Sequence, residues 1–218
     1  MDFKYAIFDM DGTLIDSMDL WDKLERKVVG QELGVDLENG EHSNFIYAGL
    51  SDMISKANKV SSKQVTVDYI LPKLYAIMDN NYSNGSIKTI DGAVEYLKYL
   101  KSKSVKIAIA TATRYESCKK CLQDNGILPL IDAFVSTDDV KKSKLHPDVY
   151  LKAIEMLGGS KDESVVFEDT LRCLNTLYQN GFKYVIVHDK VRSEIITDEL
   201  KKNALRYIYS YKELMDNE

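Results

Sequence analysis

Four short apolar runs, each followed directly by a polar residue, constrain the fold of this chain more than any other feature of its sequence. They are FKYAIF before Asp9, VKIAIA before Thr111, ESVVF before Glu168 and KYVIVH before Asp189, and AFVST before Asp138 is a weaker copy. Because the runs are nearly continuous rather than alternating, they are typical of strands covered on both faces. The sequence therefore predicts a parallel sheet.

Segments with helical periodicity lie between these predicted strands. Residues 90–102 carry apolar side chains at i, i+3, i+4 and i+7, and residues 147–157 begin with a proline and end before two glycines. An alternation of strands and helices is typical of a doubly wound, Rossmann-like α/β core with a parallel sheet. We therefore predict this fold for most of the chain.

One segment near the N-terminus interrupts the alternation. It contains no strand-like run, but three amphipathic stretches predict helices at residues 18–33, 45–59 and 65–80. We therefore predict an all-helical domain at residues 17–85, inserted after the first strand. Residues 1–16 and 86–218 would together form the α/β core.

Composition excludes several classes of function. The chain has 218 residues, with 29 Lys and Arg against 34 Asp and Glu, which gives a formal net charge of −5. This acidic balance argues against nucleic-acid binding, which usually requires a net basic face. Three cysteines do not form a disulfide framework, and neither a basic leader region nor a run of about 18 apolar residues is found. We expect a cytoplasmic monomer or weak dimer without nucleic-acid or membrane partners.

Two of the cysteines need a separate interpretation. Cys118 and Cys121 form a C-x-x-C pattern, which in other contexts marks a redox pair. They fall in a predicted helix that lacks the thioredoxin-like strand context. We interpret them as ordinary, half-buried helix cysteines.

Acidic side chains follow two of the predicted strands. Asp9 and Asp11 are two residues apart, Gly12 allows a sharp turn after them, and Glu168 and Asp169 end a second strand. Ligands of open α/β sheets bind beyond the carboxyl ends of the strands. Converging carboxylates repel each other unless a proton or cation lies between them, and carboxylate oxygens suit Mg²⁺. The sequence therefore predicts a magnesium site at this edge.

Four ordered motifs of the chain resemble those of the haloacid dehalogenase-like hydrolase superfamily. The sequence FDMDGTL is similar to the D-x-D-G-T motif, IAIAT to a strand ending in Thr, SKLHPD to Lys-Pro-x-Pro-Asp, and VVFEDT to the acidic fourth motif. They occur in the family's order and spacing and cover nearly the whole chain. The helical insert resembles the subgroup that holds β-phosphoglucomutase and phosphoglycolate-type phosphatases.

The resemblance implies a Mg²⁺-dependent phosphatase acting on a small phosphorylated metabolite. Asp9 would attack the phosphoryl group and form an aspartyl-phosphate, and Asp11 would act first as general acid and then as general base. Mg²⁺ would be held by Asp9, the backbone carbonyl of Asp11 and Asp169, with Glu168 nearby or acting through water.

The resemblance also implies a phosphate-binding set. The Thr111 hydroxyl and the Ala112 amide would donate to phosphate oxygens, and Lys144 would supply a fixed positive charge. This chain departs from the family at two positions. Leu145 stands where the third motif usually has Pro, and Cys173 stands where a Gly often follows the fourth motif.

The insert is expected to act as a cap that closes over the site and excludes water. Residues 48–53, AGLSDM, resemble the substrate loop of such caps, so Gly49, Ser51 and Asp52 are candidate substrate contacts. Trp21 occupies the position of a cap histidine found in many relatives, and it is either a substrate-facing or a packed aromatic side chain.

The identity of residue 52 favours one of three functions. β-Phosphoglucomutases typically carry Arg there, which grips a second phosphate, whereas Asp52 would repel it. A phosphatase is therefore favoured over a hexose-phosphate mutase. A non-catalytic binding protein of the same fold is the least favoured alternative, because the residues of the catalytic set are all present.

Overall fold

A six-stranded parallel sheet forms the centre of the fold. The computed structural model describes residues 2–39, 42, 49–191 and 196–215. The strands are β1 (Tyr5–Phe8), β2 (Lys106–Thr111), β3 (Ala133–Ser136), β4 (Ser164–Glu168), β5 (Tyr184–Val187) and β6 (Arg206–Ile208). Their order in the sheet is β3-β2-β1-β4-β5-β6, and every neighbouring pair is parallel. The predicted parallel sheet is confirmed, with β6 as a strand that the sequence did not predict.

Helices cover both faces of this sheet. In the α/β core they are α4 (Ala93–Ser102), α5 (Tyr115–Asp124), α6 (Thr137–Val140), α7 (Asp148–Leu157), α8 (Leu171–Gln179) and α9 (Asp198–Asn203). Successive strand residues point to opposite faces, so Phe8 and Phe167 pack with α4 and α5, whereas Ile7 and Val166 pack with α7 and α8. Burial on both faces explains the nearly continuous apolar runs, and the doubly wound α/β fold is confirmed.

Three further helices lie between β1 and α4. They are α1 (Met18–Leu33), α2 (Leu50–Val60) and α3 (Val67–Ser83). The first residues of the helix predicted at 45–59, residues 45–48, lie outside the described residues. The third helix begins at residue 67 because the Thr66 side chain caps it, accepting a hydrogen bond from the Tyr69 amide at 3.3 Å.

The helical insert shares its hydrophobic core with one face of the sheet. Met18 and Trp21 of α1, Met53 of α2 and Leu74 of α3 belong to the same buried cluster as Phe8 of β1. Within the described residues, no helix is both long and apolar enough to cross a membrane.

The C-x-x-C cysteines lie on the inner side of α5. Both Cys118 and Cys121 are buried and carry free thiols. Burial raises the pKa of Cys121 to about 11 and raises the pKa of Cys118 further. Thiols that remain protonated in this way are poor nucleophiles, as expected for packing residues.

Candidate active site

The carboxyl ends of β1 and β4 lie side by side at the point where the strand order reverses. Asp9 directly follows β1, Glu168 is the last residue of β4, and Asp169 comes next. Carboxylate oxygens of these three buried acids lie within 4.8 Å of one another. The crevice at such a reversal is where open α/β sheets bind ligands. The structure thus brings together three of the four acids that the sequence predicted on two separate strands, and the Asp11 carboxylate lies outside this cluster.

Lys144 provides a buried positive charge for this acid cluster. Its Nζ donates to Oδ1 of Asp9 at 2.5 Å and also pairs with Glu168. Burial alone would lower the pKa of Lys144, but the two carboxylates raise it by more, so the pKa lies above its usual value. The side chain therefore carries its positive charge at neutral pH.

Both carboxylate oxygens of Glu168 are occupied by groups of the protein. Oε1 accepts a hydrogen bond from the Tyr150 hydroxyl at 2.8 Å and contacts Lys144. Oε2 accepts hydrogen bonds from the amides of Asp169 and Thr170, at 3.1 and 3.3 Å. Glu168 therefore holds Lys144 and the start of α8 in place, and of the three acids it is the least suited to bind a metal directly.

Asp9 and Asp169 each retain an oxygen that could bind a cation. In Asp169, Oδ1 accepts from Thr13 at 3.2 Å and from Thr170 at 3.4 Å. The Oδ2 atoms of Asp9 and Asp169 accept no hydrogen bond from any residue that the structure describes. Two open carboxylate oxygens in a buried acidic cluster match the oxygen ligands that Mg²⁺ prefers.

The charge balance of the cluster also fits a divalent cation. Burial raises the pKa of Asp9 to about 7, with Lys144 opposing the rise and Glu168 adding to it. Burial and the Glu168 charge raise the pKa of Asp169 well above its usual range. When all three acids are ionised, the Lys144 ammonium leaves two negative charges unbalanced. One Mg²⁺ ion would balance them, so the residues present fit this metal.

A tight turn at Gly12 directly follows the two aspartates of the first motif. Gly12 has φ of +85°, and a Cβ atom there would lie 2.5 Å from Oδ2 of Asp169 and 2.6 Å from Cγ of Met18. Glycine is required both for the backbone conformation and for this close approach. The extended backbone ends at Phe8, so the side chains of Asp9 and Asp11 have different surroundings.

Asp11 is directed toward the helical insert rather than into the acid cluster. Its Oδ1 accepts hydrogen bonds from the Ser17 hydroxyl at 2.7 Å, the Tyr82 hydroxyl at 2.7 Å and the Trp21 indole Nε1 at 3.4 Å. Its Oδ2 accepts one from the Thr113 hydroxyl at 2.9 Å. Asp9 is thus paired with a cation, whereas Asp11 is surrounded by neutral donors. This difference in environment is what separate roles for two neighbouring carboxylates require.

The sequence left open whether Trp21 is a packed or a substrate-facing side chain. Its side chain is 9% exposed, and its ring packs edge-on against Tyr75 of α3, with 6.2 Å between ring centroids. Its Nε1 also lies 3.2 Å from the Tyr82 hydroxyl. The same side chain lines the cavity above the acid cluster, so it is both packed and part of the site wall.

A cavity of about 450 Å³ lies between the strand ends and the insert. From the core it is lined by Asp9, Asp11, Thr111, Ala112 and Lys144, and the insert contributes Trp21, Glu25, Leu50, Ser51 and Tyr75. The Thr111 hydroxyl oxygen accepts from the Thr113 amide at 3.1 Å, which leaves its proton available for donation. The cavity therefore joins the predicted nucleophile, acid and phosphate-binding residues.

The predicted substrate loop contributes only in part to this cavity. Ser51 lines it, whereas Gly49 precedes α2 and Asp52 pairs with Lys56, one helical turn on, at 2.9 Å. Neither Gly49 nor Asp52 lines the cavity. The first residue of this loop, Ala48, lies outside the described residues.

Several residues of this site were not predicted from the sequence. Ser17, Tyr82, Thr113 and Tyr150 contact the predicted acids, and Glu25 and Arg172 line the cavity. Cys173, which departs from the fourth motif, lines it as well. Burial raises the pKa of Cys173 well above its usual value, so its thiol stays protonated. A second cavity of about 610 Å³ adjoins the first, but the acid cluster does not line it. The two cavities share Leu71, Tyr75, Thr137 and Ser143.

Comparison with known proteins identifies the family. Residues 6–172 match the model of the haloacid dehalogenase-like hydrolases, so the chain belongs to this family. It is 28% identical over 172 residues to validoxylamine A 7′-phosphate phosphatase of Streptomyces hygroscopicus subsp. limoneus, which covers 77% of each chain. It is 27% identical over 172 residues to hexitol phosphatase B of Escherichia coli (strain K12), which covers 76% of this chain and 75% of that one.

A solved structure shows the same fold. The crystal structure of a predicted phosphoglycolate phosphatase from Haemophilus somnus superposes with a TM-score of 0.77 at 18% identity, covering 99% of this chain and 98% of that one. The family indicated by the four sequence motifs and the fold predicted from the alternation of strands and helices are therefore confirmed.

Proposed function

We propose that this protein is a Mg²⁺-dependent phosphatase that hydrolyses the phosphate monoester of a small, sugar-like or polyol metabolite through an aspartyl-phosphate at Asp9. One observation carries the proposal: the buried Asp9 carboxylate, paired with Lys144, lies beside two further buried acids and lines a cavity of about 450 Å³. The family and the names of the two relatives, both phosphatases, support the same class of reaction.

In the first step, Asp9 would attack the phosphorus atom of the bound substrate. A bond forms between its carboxylate oxygen and phosphorus, while the bond from phosphorus to the leaving oxygen breaks. Asp11 would donate a proton to that leaving oxygen, so the product departs as an alcohol. The Thr111 hydroxyl, the Ala112 amide and Lys144 would hold the phosphoryl oxygens during the transfer.

In the second step, water would hydrolyse the aspartyl-phosphate. Asp11, now ionised, takes a proton from the water, and the water oxygen bonds to phosphorus. The bond between phosphorus and the Asp9 oxygen breaks, which releases inorganic phosphate and restores both aspartates.

Mg²⁺ would be held by Asp9, the backbone carbonyl of Asp11 and Asp169, with Glu168 nearby or acting through water. When bound, it neutralises negative charge between the nucleophile and the phosphate. The fit of the metal rests on the two open Oδ2 atoms and on the uncompensated charge of the cluster.

The helical insert, residues 17–85, would act as a cap on the core formed by residues 1–16 and 86–218. Support comes from the insert side chains that line the cavity above Asp9, among them Trp21 and Tyr75. A closed cap excludes bulk water and strengthens the electrostatic interactions inside the site.

A hexose-phosphate mutase is the second candidate. The observation that favours it is Arg172, a half-buried cation on the cavity wall that could hold a second phosphate. Against it, residue 52 offers an acid, and that acid is paired with Lys56.

The proposal is tested by measuring phosphate release from a panel of sugar phosphates, polyol phosphates and phosphoglycolate in the presence of Mg²⁺. The wild-type protein should turn over at least one member, and Asp9→Asn should release none. Asp19→Asn, a change at an exposed acid of α1, is the matched control and should behave as wild type. No release from any compound by the wild type, or equal release by Asp9→Asn, would refute the proposal.

A further inference from the structure

Three hydrogen-bond donors converge on a single oxygen of Asp11. The Ser17 and Tyr82 hydroxyls and the Trp21 indole all donate to Oδ1, at 2.7, 2.7 and 3.4 Å. Trp21 and Tyr82 belong to α1 and α3, and Ser17 directly precedes α1, so all three donors come from the helical insert, residues 17–85. The Trp21 Nε1 also lies 3.2 Å from the Tyr82 hydroxyl, which ties the two donors to each other.

The surroundings of Tyr82 make it a permanent donor. The side chain is 1% exposed, and burial together with the Asp11 charge raises the pKa of its phenol well above the usual value. The hydroxyl therefore keeps its proton. Its geometry is also constrained from the core, because the Thr113 hydroxyl lies 3.5 Å from it.

The two oxygens of Asp11 are consequently not equivalent. The Ser17 and Tyr82 hydroxyls take up the two lone pairs of Oδ1, and the single indole proton of Trp21 is shared between Oδ1 and the Tyr82 oxygen. Oδ1 therefore has no capacity left for a proton of its own. Oδ2 accepts only from Thr113, among the residues that the structure describes. The oxygen with a free lone pair is therefore Oδ2.

We propose that Tyr82 is a positioning residue for Asp11: by donating to Oδ1, with Trp21 beside it, Tyr82 orients the carboxyl so that Oδ2 delivers the proton to the leaving oxygen. This inference rests on the proposed phosphatase function. When Asp9 attacks phosphorus, the bond to the leaving oxygen breaks and the proton passes from Oδ2 to that oxygen. Asp11 is left as a carboxylate whose Oδ1 retains its three donors.

Two substrates with different leaving groups distinguish a positioning role of Tyr82 from a merely structural one. An alkoxide leaves poorly without a proton, whereas 4-nitrophenolate is stable as an anion and needs none. The parameter to measure is kcat/KM, because it reports only the steps up to formation of the aspartyl-phosphate. The substrates are 4-nitrophenyl phosphate and the alkyl phosphate, such as sorbitol 6-phosphate, that the wild type hydrolyses fastest.

Tyr82→Phe removes the hydroxyl and keeps the ring. We expect kcat/KM for the alkyl phosphate to fall about tenfold, and kcat/KM for 4-nitrophenyl phosphate to change by less than about twofold. Trp21→Phe removes the weaker donor and should shift the same ratio in the same direction by a smaller factor. It also carries the test if Tyr82→Phe does not fold.

Tyr184→Phe is the matched control. This side chain is also buried, and its hydroxyl donates to the Leu200 carbonyl at 2.9 Å, away from the acid cluster. It should leave the ratio of the two kcat/KM values unchanged. Equal losses on both substrates in Tyr82→Phe, or no loss on either, would overturn the positioning role. Absence of turnover by the wild type on every substrate would instead refute the phosphatase proposal.

Discussion

Lys144 and Asp9 are 135 positions apart in the sequence, yet the lysine Nζ lies 2.5 Å from the aspartate Oδ1, and each side chain is less than a tenth exposed. An ion pair so well removed from water differs from the surface pairs elsewhere on this protein. Losing the lysine leaves buried carboxylate charge without compensation, which costs far more than losing an exposed pair, whereas Lys144 would still pair with Glu168 if residue 9 were neutral.

We therefore expect Lys144→Met to lower the free energy of unfolding by about 3–5 kcal/mol at pH 8 in the presence of chelator. The control is Lys142→Met, which removes a half-exposed lysine paired with Asp148 at 2.6 Å and should cost less than about 1 kcal/mol. Urea denaturation measures both values. Similar losses of unfolding free energy in the two variants would show that the buried pair stabilises the protein no more than the exposed pair does.

Asp9→Asn should abolish turnover and yet stabilise the metal-free protein. The raised pKa of Asp9, about 7, means that the folded state binds this proton more tightly than the unfolded state does. The contribution of Asp9 to the free energy of unfolding is therefore lost as the pH rises from about 4, where this side chain ionises in the unfolded state, to about 7, where it ionises in the folded state. The amide has no charge to bury, so at pH 8 the free energy of unfolding of the variant should exceed that of the wild type by on the order of 4 kcal/mol. Thermal unfolding in chelator should show this difference at pH 8 and a much smaller one at pH 5.

Chelation should remove activity, and Mg²⁺ should restore it whereas Ca²⁺ should not. Ca²⁺ takes 6 to 8 oxygen ligands at about 2.3–2.6 Å, while Mg²⁺ is held in a tighter octahedron near 2.0–2.1 Å. Mg²⁺ should also raise the thermal midpoint more at pH 8 than at pH 5. At the lower pH, protons on Asp9 and Asp169 compete with the metal. Full activity in excess chelator would show that the acid cluster does not hold a metal.

Gly12→Ala should weaken Mg²⁺ binding as well as stability. The new methyl group would collide with Oδ2 of Asp169, an oxygen assigned to the metal, in addition to straining a positive φ. Gly158→Ala isolates the strain, because Gly158 has φ of +72° and a methyl group added there would meet nothing within 4 Å. Both variants should lose about 1 kcal/mol from backbone strain, with a further loss only in Gly12→Ala. Calorimetric titration with Mg²⁺ should show weaker binding in Gly12→Ala alone.

The protein should release phosphate from monophosphates without converting β-glucose 1-phosphate to glucose 6-phosphate. Asp52 cannot grip a second phosphate, so the aspartyl-phosphate should pass to water. A coupled glucose-6-phosphate dehydrogenase assay with bisphosphate primer measures the conversion. Rapid conversion would favour the mutase, and its loss in Arg172→Gln would then identify the cation responsible.

The sequence predicted the parts of this fold that depend on local patterns. The runs ending at Phe8 and Phe167 are apolar on both faces, so their strand character and parallel packing were visible before the structure. β6 was not predicted because its three residues are exposed, half-buried and buried in turn, and an edge strand needs only one covered face. Its pairing with β5 comes from tertiary structure and leaves no apolar run.

Only those residues of the candidate site that belong to sequence motifs were predicted. Asp9, Lys144 and Asp169 fall in recognisable motifs, whereas Tyr82 lies in an ordinary amphipathic helix, where a tyrosine is usually a packing residue. Its bond to Asp11 joins residues 71 positions apart, and no spacing rule predicts such a contact. Thr113, two residues after Thr111, was the one missed donor whose position offered a local signal.

The hydrophobic core that the insert shares with the sheet limits how the substrate range of this protein can diversify. Met53 and Leu74 pack in one cluster with Phe8, so a chimera carrying the insert of a distant relative would expose or overfill that face. Ser51 lies on the cavity wall without belonging to the cluster. New specificities should therefore be reached by single substitutions on the wall, such as at Ser51, more readily than by exchange of whole inserts.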